Sequence, residues 1–231
     1  MVSYFAIYTI VKYRLKEYIF EYQYSILAPL VNNLLFVIIF STIDSYYSLS
    51  FNEISFIEFL IPGLVIMMVA QESYDIPSAS IINSKQIGSF DDFLLAPISR
   101  LEIFTSYILS QIIIGIFLAL VNFLILSFFV DFENYTIFFF YYLILVIIFF
   151  SSLGCVVGLL AFNWDTQSTV SSFFVIPINF LSGTFFSINA LPENMQIIFV
   201  YNPYYYIVSF FRDSFYNSFE FNYFQNLLVI S

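Results

Sequence analysis

Apolar runs of about twenty residues or more recur along this chain, with short polar stretches between them. A helix needs roughly 20 such residues to cross a hydrocarbon core of about 30 Å. Charged residues make up only 10% of the sequence, against roughly 25% in a soluble domain. They are too few to dress a soluble surface. The sequence therefore specifies an all-α integral membrane protein built as a bundle of spans.

Five spans are expected, at about 24–43, 56–82, 102–130, 137–162 and 168–188. Only "DFENYT" separates the third from the fourth, so these two return antiparallel. "NWDTQ" makes the next short turn. The last eleven residues, "FNYFQNLLVIS", begin another apolar run at about 221. Eleven helical residues reach about 16 Å, half a bilayer. A truncated sixth span is expected there, from a chain that is a fragment or incomplete at this end. Residues 1–231 read as a single transmembrane domain without internal repeats.

Residues 3–23 show helical spacing, with Val11, Leu15, Tyr18 or Ile19, and Tyr22 on one face. Lys12, Arg14, Lys16 and Glu17 sit elsewhere on the wheel. This pattern predicts an amphipathic helix lying in the membrane interface. No small-residue cleavage site follows, so a cleavable signal peptide is not expected. With the N-terminus in the cytoplasm, Lys12, Arg14, Lys16, Lys85 and Arg100 lie inside, and only Arg212 lies outside. Five of the six basic residues then obey the positive-inside rule.

Much chemistry is excluded. The chain has no His and one Cys, Cys155, inside an apolar run where it reads as a small core residue. No Gly-Lys pair exists to build a phosphate loop, so ATP is not bound by that route. No base partner stands near any serine in the sequence, and no catalysis is expected. A formal net charge of −10 would argue against nucleic acid in a soluble protein, and in a membrane protein the placement of Lys and Arg matters more than the sum; no nucleic-acid partner is expected.

The intramembrane polar residues remain. Glu72 and Asp75 are one turn apart in the later half of the second span. They are structural or interfacial, or they relay protons. Asn32, Asn33, Asn122 and Asn179 line a path or hydrogen-bond between helices. Gly154 and Gly158 form a G-x-x-x-G that permits close helix approach, within a subunit or between two.

The stretch "GSFDDFLLAPISR" stands apart. Ser89 and Asp92 have capping-box spacing, and Asp91 and Asp92 fall in a first helical turn, where carboxylates favour the dipole. Ile87, Phe90, Phe93, Leu94 and Pro97 make one apolar stripe. Ala96 precedes Pro97 and avoids the α region, so the helix stops. Ser99 with Glu102 then caps the restart. A short helix over about 88–97 is expected on the cytoplasmic face. It docks a cytoplasmic partner, or it packs back on its own bundle or dips into headgroups.

Four segments in order complete the pattern: "FLIPGL" (Phe59–Leu64), "DDFLLAPISRLEI" (Asp91–Ile103), "FVIPINFLSGTFFSINALPENMQ" (Phe174–Gln196) and "YNPYYYIVSFFRDSF" (Tyr201–Phe215). With them the chain resembles, over roughly residues 5–228, the membrane subunit of ABC-2-type ATP-binding-cassette exporters. The resemblance implies a six-span permease bundle with an interfacial N-terminal helix and short re-entrant or outer helices over 189–212. It implies a second permease copy, as a homodimer, in a bacterial inner membrane among its lipids. It makes Ser89, Phe90, Asp91, Asp92, Phe93, Leu94, Ala96 and Pro97 a coupling helix seated on a separate cytoplasmic ATPase subunit. That subunit binds ATP and Mg, and this chain holds no cofactor. The cargo class it implies is a lipid, a glycolipid or polysaccharide, or a hydrophobic drug-like molecule. Spans one, two and five are the expected lining, with Asn32, Asn33, Glu72 and Asn179 as candidates for the path. "FNWDTQ" lacks the basic residue often found at the second cytoplasmic turn of this family. The rival readings are a proton-coupled secondary transporter using Glu72 or Asp75, and a membrane scaffold without transport.

Overall fold

The computed structural model describes residues 4–47, 50–51, 54–130, 138–186 and 191–216. Four of its helices are long and apolar enough to cross a membrane. They are a helix over Gln23–Tyr46, then α3 (Phe56–Gln86), α5 (Arg100–Leu126) and α6 (Phe138–Leu160). The first of them opens with a π-helical turn, Gln23–Leu27, and continues as α2 (Ala28–Tyr47).

The expected fifth span is shorter and less regular than 168–188. It consists of α7 (Trp164–Val170), a π-helical turn (Ser171–Val175) and α8 (Ile176–Phe180), and then the chain turns at Leu181 and Ser182. Two short helices follow, α9 (Glu193–Val200) and α10 (Pro203–Tyr216). The run from about 221 lies outside the described residues.

The bundle is organised around α3. In its most apolar window 78% of residues are buried, against 22% in the first span. The start of α3 is written locally. Ser55 Oγ accepts from the Glu58 amide (3.3 Å), and the Ser55 amide donates to Glu58 Oε2 (2.9 Å). This capping box satisfies two orphan donors. The two-residue strands β1 (Ser50–Phe51) and β2 (Ile54–Ser55) pair just before it.

Helix α6 is the closest neighbour of α3, and glycine is the reason. A Cβ on Gly154 would collide with the Tyr74 carbonyl, and one on Gly158 would crowd Ser78 and Ile81. The G-x-x-x-G face is thus spent on a contact inside the chain, where bare backbone lets two helices close in. Side chains from other elements donate to α3 carbonyls. Asn33 reaches Leu64 O (3.0 Å), Gln111 reaches Glu72 O (3.3 Å), and Tyr204 reaches Ile66 O (3.2 Å).

The N-terminal helix α1 (Tyr4–Phe20) buries Ile10, Arg14 and Tyr18, at i, i+4 and i+8. This corrects the expected apolar face: Val11 and Leu15 are half-buried, and Ile19 and Tyr22 are exposed. The helix packs along α5 and carries a guanidinium on its inner face. Its outer face shows Tyr4, Phe5, Tyr8 and Phe20, residues suited to a bilayer interface.

Candidate functional site

Two features gather at the end of the bundle where α3 hands over to α5. The first is the short helix α4 (Phe90–Leu95). Gly88 turns the chain out of α3 with φ at +78°, a conformation open to glycine at little cost. Ser89 does not cap α4. Its backbone is already helical, and its Oγ donates to the Ser84 carbonyl (3.3 Å), closing α3 instead. Asp91 and Asp92 lie in the first turn and are exposed. Ala96 is extended (φ −68°, ψ 149°), the conformation a following proline favours, and α4 ends there.

The restart is capped as the sequence demands. Ser99 Oγ accepts from the Glu102 amide (3.2 Å), and the Ser99 amide donates to Glu102 Oε2 (2.6 Å). Phe90 is half-buried and packs with Ile103 on a small cluster of Ile81, Tyr107 and Cys155. Cys155 is therefore a core residue. The side chains of Phe93 and Leu94 lie outside the described ones. Ala96 is half-buried and Pro97 exposed.

The same end is tied together by Lys85 at the end of α3. Its ammonium donates to the carbonyls of Gly158 (2.9 Å), Leu159 and Ala161 (3.1 Å). These are the orphan acceptors at the end of α6, and a cation there complements the helix dipole. Trp164 Nε1 donates to Gln86 Oε1 (2.9 Å), fixing the start of α7 to the end of α3.

The second feature is a polar seam and the cavity beside it. Gln71 Nε2 donates to Asp75 Oδ2 (2.7 Å) and Ser171 Oγ (2.9 Å), and Gln167 Nε2 donates to Asp75 Oδ1 (2.8 Å). Asn179 Nδ2 joins through Gln71 Oε1 (3.3 Å), and its own Oδ1 is buried without a partner. The π-helical turn at Ser171–Val175 faces this seam. Next to it a cavity of about 390 Å³ opens between α1, α3 and α7. Glu72 and Asp75 line it, with Arg14, Glu17, Tyr18 and Trp164 among the other residues. Burial, and then the Glu72 carboxylate, push the Tyr18 hydroxyl up; it stays protonated and donates to the Ser25 carbonyl (3.0 Å).

The expected path residues separate. Glu72 and Asn179 share this polar region. Asn33 is bonded to α3, and Asn32 is exposed on the outside of α2. Asn122 is buried and reaches Met68 Sδ (3.3 Å). Two buried arginines were not legible as interior residues. Arg14 is 5% exposed, pairs with Glu17 (2.6 Å) and lies 4.5 Å from the Tyr107 ring centre. Arg212 is 3% exposed, donates to Phe59 O (3.0 Å) and Gly183 O (2.9 Å), and stacks on Phe59. Among the described residues no group of three or more metal-ligating side chains occurs.

A family model described as "ABC-2 type transporter" matches residues 6–216. The inner membrane transport permease YadH of Escherichia coli K12 is 27% identical over 192 residues, 83% of this chain and 75% of that protein. The protein of the same name from Shigella flexneri aligns to the same extent, 27% over 192 residues.

Proposed function

Because the chain belongs to the ABC-2 type transporter family, we propose that it is the permease half of an ATP-driven exporter in a bacterial inner membrane. It is a multi-pass transport subunit without catalytic machinery of its own. A separate cytoplasmic ATPase binds ATP and Mg and supplies the energy. Two permease copies, as a homodimer, form the pathway, and the cargo is a lipid, a glycolipid or polysaccharide, or a hydrophobic drug-like molecule.

One observation carries this reading. Helix α4 stands at the end of the bundle with Asp91 and Asp92 free on its surface. Phe90 leans it on residues of α3, α5 and α6. Its tethers are short and stiff: a left-handed Gly88 on one side, an extended Ala96 and a capped α5 on the other. A push on such a helix moves the spans it joins as rigid bodies, which suits a two-state switch between inward and outward openings.

Reversing both acids, Asp91→Lys with Asp92→Lys, is expected to abolish co-purification of a cytoplasmic ATP-binding-cassette ATPase from the native cell, with the permease still in the membrane. Undiminished co-purification overturns the coupling role. Transport that persists without ATP and collapses with the proton gradient overturns the ATP-driven reading in favour of proton coupling through Glu72 or Asp75.

A further inference from the structure

We infer that the cavity between α1, α3 and α7 seats the ammonium end of an amine-bearing headgroup. The inference deepens the transport reading by naming a headgroup class, and rests on it only for what becomes of the ligand.

Three walls carry the argument. The first is carboxylate. Glu21, Glu72 and Asp75 line the cavity, and the one cation among its described lining residues, Arg14, is already paired with Glu17. Asp75 accepts one amide hydrogen bond on each oxygen and is held in place. The Glu72 carboxylate has no hydrogen-bond partner among the described residues. An acidic side chain left without a partner inside a span is costly, and a cationic ligand offsets that cost. The second wall is aromatic: Tyr18, Tyr24 and Trp164. Aromatic faces beside carboxylates recognise ammonium groups, because the ring quadrupole attracts a cation that water solvates weakly. The third wall is Arg14, 5% exposed and fixed by Glu17 (2.6 Å) and the Ile76 carbonyl (3.5 Å), which leaves Glu72 and Asp75 to the ligand.

Together these walls describe an alkylated ammonium group, free or as the headgroup of a lipid. The volume, about 390 Å³, falls in the range of small-molecule sites.

The test uses the chain's single tryptophan, since Trp164 lies in the cavity wall. The full chain, without the ATPase, is reconstituted in phosphatidylglycerol vesicles and titrated with choline and with its uncharged isostere, 3,3-dimethylbutanol. A saturable change in Trp164 emission is expected with choline and not with the isostere. Glu72→Gln is expected to weaken choline binding by about tenfold or more. Tyr24→Ala, at a side chain 81% exposed whose loss leaves packing intact, is expected to weaken it about threefold or more.

Equal responses to choline and isostere overturn the inference. So does unchanged binding in both variants, or no response in phosphatidylglycerol. Repetition in phosphatidylcholine vesicles identifies the source. A choline response lost there marks a lipid headgroup already in the cavity, and one retained marks a free amine. Absent choline binding with ATPase association intact overturns this inference alone. Lost association with choline binding intact overturns the transport reading alone.

Discussion

Gly154 shows how a single atom sets the geometry of the centre. Its missing Cβ leaves room for the Tyr74 carbonyl on α3. Gly154→Ala places a methyl group against backbone that cannot swing away. The expected cost is about 1–3 kcal/mol, as for other overpacked sites, read as a lower melting temperature in detergent. Lys85 works at a helix end. Lys85→Met keeps much of the chain length and removes the donor to three α6 carbonyls. A loss of about 1–2 kcal/mol is expected, with faster amide exchange at the end of α6. A melting curve identical to wild type contradicts either assignment. The G-x-x-x-G spacing was visible in the sequence, but its partner was not. Lys85 read only as a basic loop residue, because a side chain's reach to another helix leaves no mark in its own neighbours.

At the scale of elements, α4 separates local from non-local signals. The break at Ala96–Pro97 and the Ser99–Glu102 cap follow from chemistry within four residues, and both form as the sequence states. Ser89 and Asp92 have capping-box spacing too, yet Ser89 turns back to Ser84. The φ of +78° at Gly88 decides this, since it closes α3 before α4 begins. Among the described residues, no atom beyond its two chain neighbours stands within 4 Å of a Cβ built on Gly88, so the cost of a substitution there is conformational. Gly88→Val is expected to destabilise the α3–α4 turn by about 1–2 kcal/mol, and Gly88→Asn by less. ATPase co-purification should fall in the order Gly, Asn, Val. Equal recovery for all three removes the role assigned to this turn. The fifth span shows the opposite limit. Its apolar run continues to 188, but its helix ends at Phe180 and carries a π-helical turn. Hydropathy marks what lipid tolerates, and it is silent on the contact that Ser171 in this turn makes with Gln71 of the seam.

For the whole molecule, the placement of basic residues sets an orientation that accessibility can check. In a Cys155→Ser background, a cysteine at Leu95 (84% exposed) is expected to react with a membrane-impermeant maleimide from the cytoplasmic side only. One at Tyr46 (85% exposed) should react from the outer side only. Labelling of both from one side contradicts the arrangement. The sequence by itself determined that this chain lives in a bilayer, where most of its helices run, where α4 stops and α5 restarts, and which family it resembles. The first three follow from run length, caps and proline, all properties of neighbours along the chain, and the resemblance rests on four segments in their order. Only the tertiary structure decided which polar groups are interior: Arg14 and Arg212 buried, Asn33 bonded to α3, Asn32 facing outward. In a soluble helix, polarity marks the outer face. In a span, both faces are apolar, because lipid and protein core make the same demand. The contrast that would reveal the inner face is therefore weak, and helix packing has to supply it.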